Sequence, residues 1–202
     1  MNAYSNTELS ETEKGEIEQD VQYKINDFIS YLPEIAATNH KSIEQRKTAK
    51  RYKERALKLF IGEGKAYPYL DINNNERMHD PVTMQTTSRR KKNRPQPLVR
   101  YLDRLMALPY HKVEVDTCQA VRLTKDIHKI GENRWSCTAY FIQTFKAYNR
   151  EGYCILNDKD PKKVTIYIDR EEVYDPIKGE VKVFYIVQLG DISIYSDYNY
   201  QQ

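Results

Sequence analysis

The chain has 202 residues, of which 40% are hydrophobic, 30% charged and 11% aromatic, enough for one sizeable core. Its mean hydropathy of -0.80 is low, but 17 tyrosines and many periodic aliphatic residues supply the burial that disordered chains lack. No apolar stretch approaches the roughly 18 residues of a membrane helix, and residues 1–20 lack the apolar segment of an export signal. The composition therefore excludes disordered, fibrous and membrane-spanning classes.

The formal net charge of +3 is unevenly distributed. Residues 1–20 hold six acids against Lys14 alone, a net charge of -5 that leaves +8 on residues 21–202. The positive charge concentrates in residues 41–58 and 89–94. The candidate anion- or partner-binding residues there are Arg46, Lys50, Lys53, Arg89, Arg90, Lys91, Lys92 and Arg94. They predict a surface for nucleic acid, a phosphorylated ligand or an acidic partner segment, or else a solvated helix face and loop.

Three helices are predicted first in chain order. The stretch Ser10–Glu13 has the pattern of a capping box, and apolar residues then recur every three or four positions to Ile35. A second capping pattern at Ser42–Gln45 opens a helix through about Phe60. After a long, partly ordered connection over residues 63–96, a third helix spans Leu98 to about Leu108.

Beyond residue 110 the apolar period changes to two, which is typical of strands. We predict a first strand over 113–124, a second over Trp135–Tyr148, a third over Lys163–Asp169 and a fourth over Val181–Leu189 that continues at 192–194. Residues 129–133 are predicted as a turn and 158–161 as a polar loop. Gly190 inside the last strand indicates a bulge or sharp bend. The pattern favours an α+β domain, in which N-terminal helices pack on a strongly curved, four-stranded antiparallel sheet around a conical cavity.

This element order, with stretches such as Tyr101–Leu105, Phe141–Phe145 and Leu189–Ile192, resembles the nuclear transport factor 2-like (cystatin-like α+β) superfamily and looks like its bacterial members. The resemblance covers residues 21–195 as one domain, between an acidic N-terminal arm (1–20) and a C-terminal tail (196–202). It implies a cone-shaped fold. The superfamily includes isomerases, dehydratases, ligand carriers, dimerisation modules and secretion-apparatus parts, so the resemblance does not select a function.

Candidate chemistry in the cone is limited. The candidate cavity residues are Tyr101, Tyr140, Gln143 and Gln188, because polar groups on curved strands can project toward one buried point. Asp103 and Asp116 are further candidates, and Asp116 is expected to face solvent. No catalytic residue, metal site or cofactor is predicted, since the three cysteines lack metal-ligand spacing and the four histidines lie at element ends, turns or loops. Whether Cys118 and Cys137 form a cross-strand disulfide stays open.

Tyrosines are frequent in the last strands, where Thr165 and Tyr167 share one predicted face. Tyrosine is enriched at protein interfaces. We therefore predict a non-catalytic protein-binding or assembly module that docks a protein partner or a second copy through its sheet face and charged segments. A small-molecule-binding protein or isomerase-like enzyme using the cone is the alternative, and nucleic-acid binding through the basic segments is the third interpretation. The compartment is cytoplasmic if Met1 is the native start, and exported or envelope-associated if a signal peptide was removed.

Overall fold

The computed structural model describes residues 8–36, 42–70, 75–86, 94–117, 121–124 and 126–195. Within them the helices are α1 (Glu11–Ala36), α2 (Ile43–Leu57) and α3 (Leu98–Met106), with a 3-10 turn at Ile61–Gly64. The strands are β1 (Tyr67–Leu70), β2 (Glu76–His79), β3 (Thr83–Met84), β4 (Gln96–Pro97), β5 (Lys112–Thr117), β6 (Arg122–Leu123), β7 (His128–Gly131), β8 (Arg134–Tyr148), β9 (Cys154–Asp175) and β10 (Glu180–Ile194).

Both predicted capping boxes are confirmed. At the start of α1 the Ser10 backbone N–H donates to Glu13 Oε2 at 2.7 Å, and the Glu13 N–H donates back to Ser10 Oγ at 3.3 Å. Ser42 and Gln45 make the same reciprocal pair before α2. The apolar stripe of α1 is buried along its length, so residues 11–20 of the predicted acidic arm belong to a helix packed on the core. Helices α2 and α3 end two or three residues before their predicted ends.

In the described residues the sheet is mixed and has eight strands, so the prediction of four antiparallel strands was wrong. Its main path runs β4-β3-β10-β9-β8-β5, while β6 and β7 also pair with β8. Two of the additional strands, β3 and β4, come from the connection over 63–96, and β3 lies parallel to β10 where Met84 pairs with Ile192. These strands are two residues long, too short for an alternating pattern to predict them.

The third predicted strand was also too short. Strand β9 has 22 residues, and the predicted polar loop at 158–161 lies inside it, paired with residues 142–145 of β8. The first predicted strand contains β5 and β6, with residues 118–120 between them outside the described ranges, and the predicted turn at 129–133 contains part of β7. The irregularity predicted at Gly190 is confirmed, because the register of β10 against β9 shifts between Leu189 and Ile192.

The core lies between the helices and the concave face of the sheet. Phe28 and Leu32 of α1, Leu102 of α3 and Ile166 of β9 are fully buried there. Phe60, after α2, meets Phe28 edge to face with ring centroids 5.0 Å apart. The cone predicted for the concave face is therefore occupied by apolar side chains over much of its depth.

Candidate functional site

A polar cluster interrupts the apolar concave face where β8 and β9 lie opposite β3 and α3. Gln143 of β8 is the register partner of Asp160 of β9, and Phe141 is that of Lys162. Because side chains two residues apart on a strand share a face, Asp160 and Lys162 project to the same side as Gln143. Tyr101 of α3 reaches this group from the helical layer.

Lys162 is the most unusual member of the cluster, since its side chain is 1% exposed. Its Nζ donates to the backbone carbonyl oxygen of Gln85 at 2.7 Å and lies 3.2 Å from Asp160 Oδ2. Burial lowers the pKa of Lys162 below its usual range, and the Asp160 carboxylate opposes that change. The ion pair and the carbonyl together compensate part of the cost of burying the ammonium group.

Tyr101 and Gln143 form the second half of the cluster. Their side chains are hydrogen-bonded, and both residues are buried. Burial raises the pKa of Tyr101 well above its usual range, with the Asp160 charge adding to the rise. The phenol therefore stays neutral at physiological pH and serves as a hydrogen-bonding group. The cluster thus links β9 to the segment after β3 through Lys162 and Gln85, and α3 to β8 through Tyr101 and Gln143.

The four predicted cavity residues do not meet at one place. Tyr101 and Gln143 come together, but Tyr140 and Gln188 lie on the opposite, convex face. The ring of Tyr140 lies 5.0 Å from that of Tyr195, and Gln188 pairs in register with Tyr167. The sequence analysis missed Asp160 and Lys162, because it predicted a loop at 158–161 and a strand only from Lys163. Their spacing of two residues could have indicated that both side chains share the face of a strand.

The convex face with Thr165 and Tyr167 is partly covered by the chain itself. Tyr67 of β1 is buried, and its ring lies 6.4 Å from that of Tyr167. The ring of His79 in β2 stacks on Tyr67 at 4.9 Å. This part of the predicted sheet face is therefore less accessible to a partner than the sequence suggested.

The basic candidates divide into three groups. Arg46 and Lys50 are exposed on α2, and Arg94 is exposed before β4. Lys53 instead forms an ion pair with Asp103 of α3. The remaining candidates, Arg89, Arg90, Lys91 and Lys92, lie outside the described residues, as does Cys118, whereas Cys137 and Cys154 are free thiols. Anion binding by these segments stays a prediction.

Exposed apolar side chains are grouped at the far ends of β9 and β10, which we call the hairpin arm (residues 170–186). Strand β8 begins at Arg134, opposite Asp169, so beyond that point β9 has only β10 beside it in the ladder. The arm carries seven exposed large apolar side chains: Val173, Tyr174, Ile177, Val181, Val183, Phe184 and Ile186. Because neighbouring strand residues point to opposite faces, these side chains lie on both faces of the arm.

One edge of this arm is open. Among the described residues, β3 and the bridge between Phe60 and Leu189 reach β10 only at Leu189 and beyond. The Leu189 N–H donates outward to the carbonyl oxygen of Leu59 at 2.9 Å. Alternation along the strand therefore turns the N–H groups of Val181, Val183 and the other odd-numbered residues toward the same outer side. From Glu180 to Gln188, no strand of the described chain pairs with that edge.

The base of the arm is fixed to α1. The Tyr185 hydroxyl donates to Glu13 Oε1 at 2.5 Å, and its ring meets that of Trp135 edge to face at 6.3 Å. The hydrogen bond from Tyr185, followed by those from Ser10, lowers the pKa of Glu13 below its usual range. The arm is thus anchored at one end and exposed beyond it.

The other surfaces of the described chain show fewer features of a binding site. A cleft of about 790 Å³ separates the end of α1 from β5, and its lining mixes acids such as Glu34 and Asp116 with bases such as Lys112 and Lys146. In the described ranges, no three His, Cys, Asp or Glu residues are grouped as metal ligands. None of the helices described is both long enough and apolar enough to span a membrane.

Comparison with known proteins leaves the function open. No protein-family model matches the sequence, and no curated protein matches it. The chain is similar to a solved structure, a nuclear transport factor 2 (NTF2-like) superfamily protein from Salmonella enterica serovar Typhimurium, at 11% identity and a TM-score of 0.45, covering 94% of this chain and 98% of the other. This match agrees with the resemblance noted in the sequence. At that identity and TM-score it carries no information about what the chain binds.

Proposed function

We propose that the protein is a non-catalytic binding or assembly module that associates with other protein through the hairpin arm. The observation that carries the proposal is the exposure of seven large apolar side chains on the arm. Ile177 at the turn is 94% exposed, and Phe184 is 48% exposed. Exposed apolar surface of this kind is typical of sites where proteins interact.

The architecture of the arm supports an external partner. A two-stranded hairpin is marginally stable when its apolar side chains find nothing to pack against. Here β8 begins opposite Asp169 and so does not pair with the arm, and α1 contacts the arm near its base, at Tyr185. A protein surface laid on the arm would remove its apolar side chains from water and stabilise it.

The charges of the arm favour a protein over a nucleic acid. Residues 170–186 hold four acids and three bases, a net charge of -1. Phosphate backbones bind clustered lysine and arginine, and their affinity falls steeply with salt. An apolar arm with mixed charges should bind in a manner that tolerates salt. Association that persists at roughly 1 M salt, where surface charges are screened, would fit the arm.

The buried polar cluster supports a structural rather than a catalytic interior. Lys162 and Asp160 pair with each other, and Tyr101 bonds to Gln143. Apolar side chains fill the rest of the concave face near Phe28 and Leu102. The interior thus holds the layers together while the arm meets the partner.

A site-specific photo-cross-linking amino acid at position 184 tests the proposal in the native host. Position 153 is the matched control, because Tyr153 is also an exposed aromatic residue but lies at the opposite end of β9. We expect adducts of higher mass from position 184 and few from position 153. Equal yields from the two positions, or none from 184, would contradict the proposed function.

A further inference from the structure

The length and sequence of the open edge of β10 indicate which partner the hairpin arm binds. It runs from Glu180, where the strand begins, to Gln188, after which the Leu189 N–H is bonded to Leu59. Its midpoint is Phe184. Five consecutive uncharged residues, Val183–Val187, occupy the middle of this edge. Of the features that usually protect an edge strand, the edge has one lysine, Lys182, but no proline and no bulge.

We infer, on the basis of the proposed function, that the partner is a second copy of this chain, bound edge to edge through antiparallel pairing of the two β10 strands about a twofold axis at Phe184. A twofold axis perpendicular to the sheet keeps the concave faces of the two copies on the same side. Even-numbered residues of one strand must then pair with even-numbered residues of the other, and odd-numbered residues with odd-numbered ones. The two eight-stranded sheets then become one continuous sheet.

The sequence of β10 is self-complementary in this register. Glu180 would face Gln188, Lys182 would face Ile186, and each Phe184 would face its own copy. No two like charges stand opposite, an arrangement that would otherwise be unfavourable. The outward amide groups of Val183 and Tyr185 would bond across the interface, as would those of Val181 and Val187. The ladder would end where Leu59 already occupies the edge.

Two other features of the molecule give less support to a binding site. The cleft between α1 and β5 mixes acids and bases without a buried polar group aimed into it. The cluster around Lys162 is already satisfied by Asp160 and Gln85. The β10 edge is the feature whose geometry and sequence agree on one occupant.

Cysteine cross-linking tests the register directly. Cys118 and Cys154 are first replaced by serine, while the buried Cys137 is kept. In this background Phe184→Cys places two thiols opposite each other in a non-hydrogen-bonded pair, where Cα atoms about 4.5 Å apart permit a disulfide. Val173→Cys is the matched control, because Val173 is equally exposed on the convex face but belongs to β9.

We expect Phe184→Cys to form a disulfide-linked dimer under mild oxidation, at a yield at least about tenfold that of Val173→Cys. A mixture of Lys182→Cys with Ile186→Cys should give the disulfide-linked heterodimer, while Lys182→Cys alone should form no disulfide-linked dimer. Light scattering on the unsubstituted chain should give twice the monomer mass at high protein concentration, a readout independent of whether the variants fold.

A strictly monomeric chain, or cross-linking that favours Val173→Cys, would overturn self-pairing. The photo-cross-linking at position 184 separates this failure from failure of the proposed function. Adducts from position 184 with a monomeric purified chain would mean that the arm binds a different protein. If position 184 gave no adducts, the proposed function would be contradicted as well.

Discussion

The two halves of β9 show how neighbouring strands decide the role of a strand. From Lys162 to Asp169 the strand lies between β8 and β10, and its concave side chains are buried, including the charged Lys162. Beyond Asp169 the strand has β10 alone, and even Val173 is 50% exposed. A lysine is thus buried and a valine is exposed within 12 positions of one strand. Burial here follows from what packs beside the strand.

This contrast separates two kinds of substitution. Changes in the inner half should reduce the free energy of unfolding, because they leave buried groups without partners or crowd the core. Changes on the hairpin arm should leave folding nearly unchanged and alter association. The predictions that follow run from the largest expected effect on unfolding to the smallest.

Lys162→Met should lower the free energy of unfolding by about 3 kcal/mol, since removal of one partner from a buried ion pair leaves the other poorly compensated. Lys163→Met is the matched control, because Lys163 is the exposed neighbour on the same strand. It should change stability by less than about 0.5 kcal/mol. Urea unfolding measures both values, and equal effects of the two substitutions would mean that Lys162 is not buried.

Gly190→Ala should cost about 2 kcal/mol through overpacking. A Cβ there would lie 2.7 Å from Tyr167 Cε2 and 3.2 Å from the Thr165 carbonyl oxygen. Gly15→Ala is the opposite case, because a Cβ at that position in α1 meets nothing within 4 Å. It should stabilise the protein by about 0.5–1 kcal/mol, since alanine favours the helix. Thermal unfolding of the two variants should therefore shift in opposite directions.

Tyr185→Phe should lower stability at neutral pH by less than about 1 kcal/mol, the scale of one partly exposed hydrogen bond. The hydrogen bond from Tyr185 lowers the pKa of Glu13 in the folded protein below its unfolded value, ordinarily 4.5. The hydrogen bond therefore contributes fully to stability above pH 4.5, and this contribution is lost as the pH falls through the pKa of Glu13 in the folded state. The difference between wild type and variant should shrink on acidification. Urea unfolding at neutral and acidic pH measures it, and a difference that grows in acid would be the contrary result.

Phe184→Lys should change the free energy of unfolding of the monomer by less than about 0.5 kcal/mol, because the side chain is already half exposed. It should nevertheless abolish association, since two like charges would face each other at the twofold axis. Tyr153→Lys is the control and should leave association intact. Sedimentation velocity compares the two variants. A dimeric Phe184→Lys variant would place the interface elsewhere.

The sequence predicted the helices, both capping boxes, β8 and the bulge at Gly190, because each has a long period or a specific local signal. It predicted β9 over Lys163–Asp169 but not the part of the strand before Lys163, since the acids and lysines around Asp160 and Lys162 have the composition of a loop, and lysine is rarely buried. It named Tyr101 and Gln143 but placed Tyr140 and Gln188 with them. Those two belong to the opposite face, which could not be known before the register and bulge were fixed.

The hairpin arm could not be predicted for a different reason. Its strands alternate as strands do, so the sequence predicted part of β10 correctly. Whether a third strand covers Val173 or Phe184 depends on where β8 begins relative to β9, a long-range register that no local pattern encodes. The open edge is therefore visible only in the fold.

Hydrogen exchange of the β10 amides as a function of protein concentration tests edge pairing most directly. The amides of Val181, Val183, Tyr185 and Val187 point away from β9 and should exchange quickly in dilute solution. At concentrations where the dimer forms, the segment that contains them should become protected, while segments of β8 remain unchanged. Exchange of the 181–187 segment that is equally fast at every concentration would contradict the pairing.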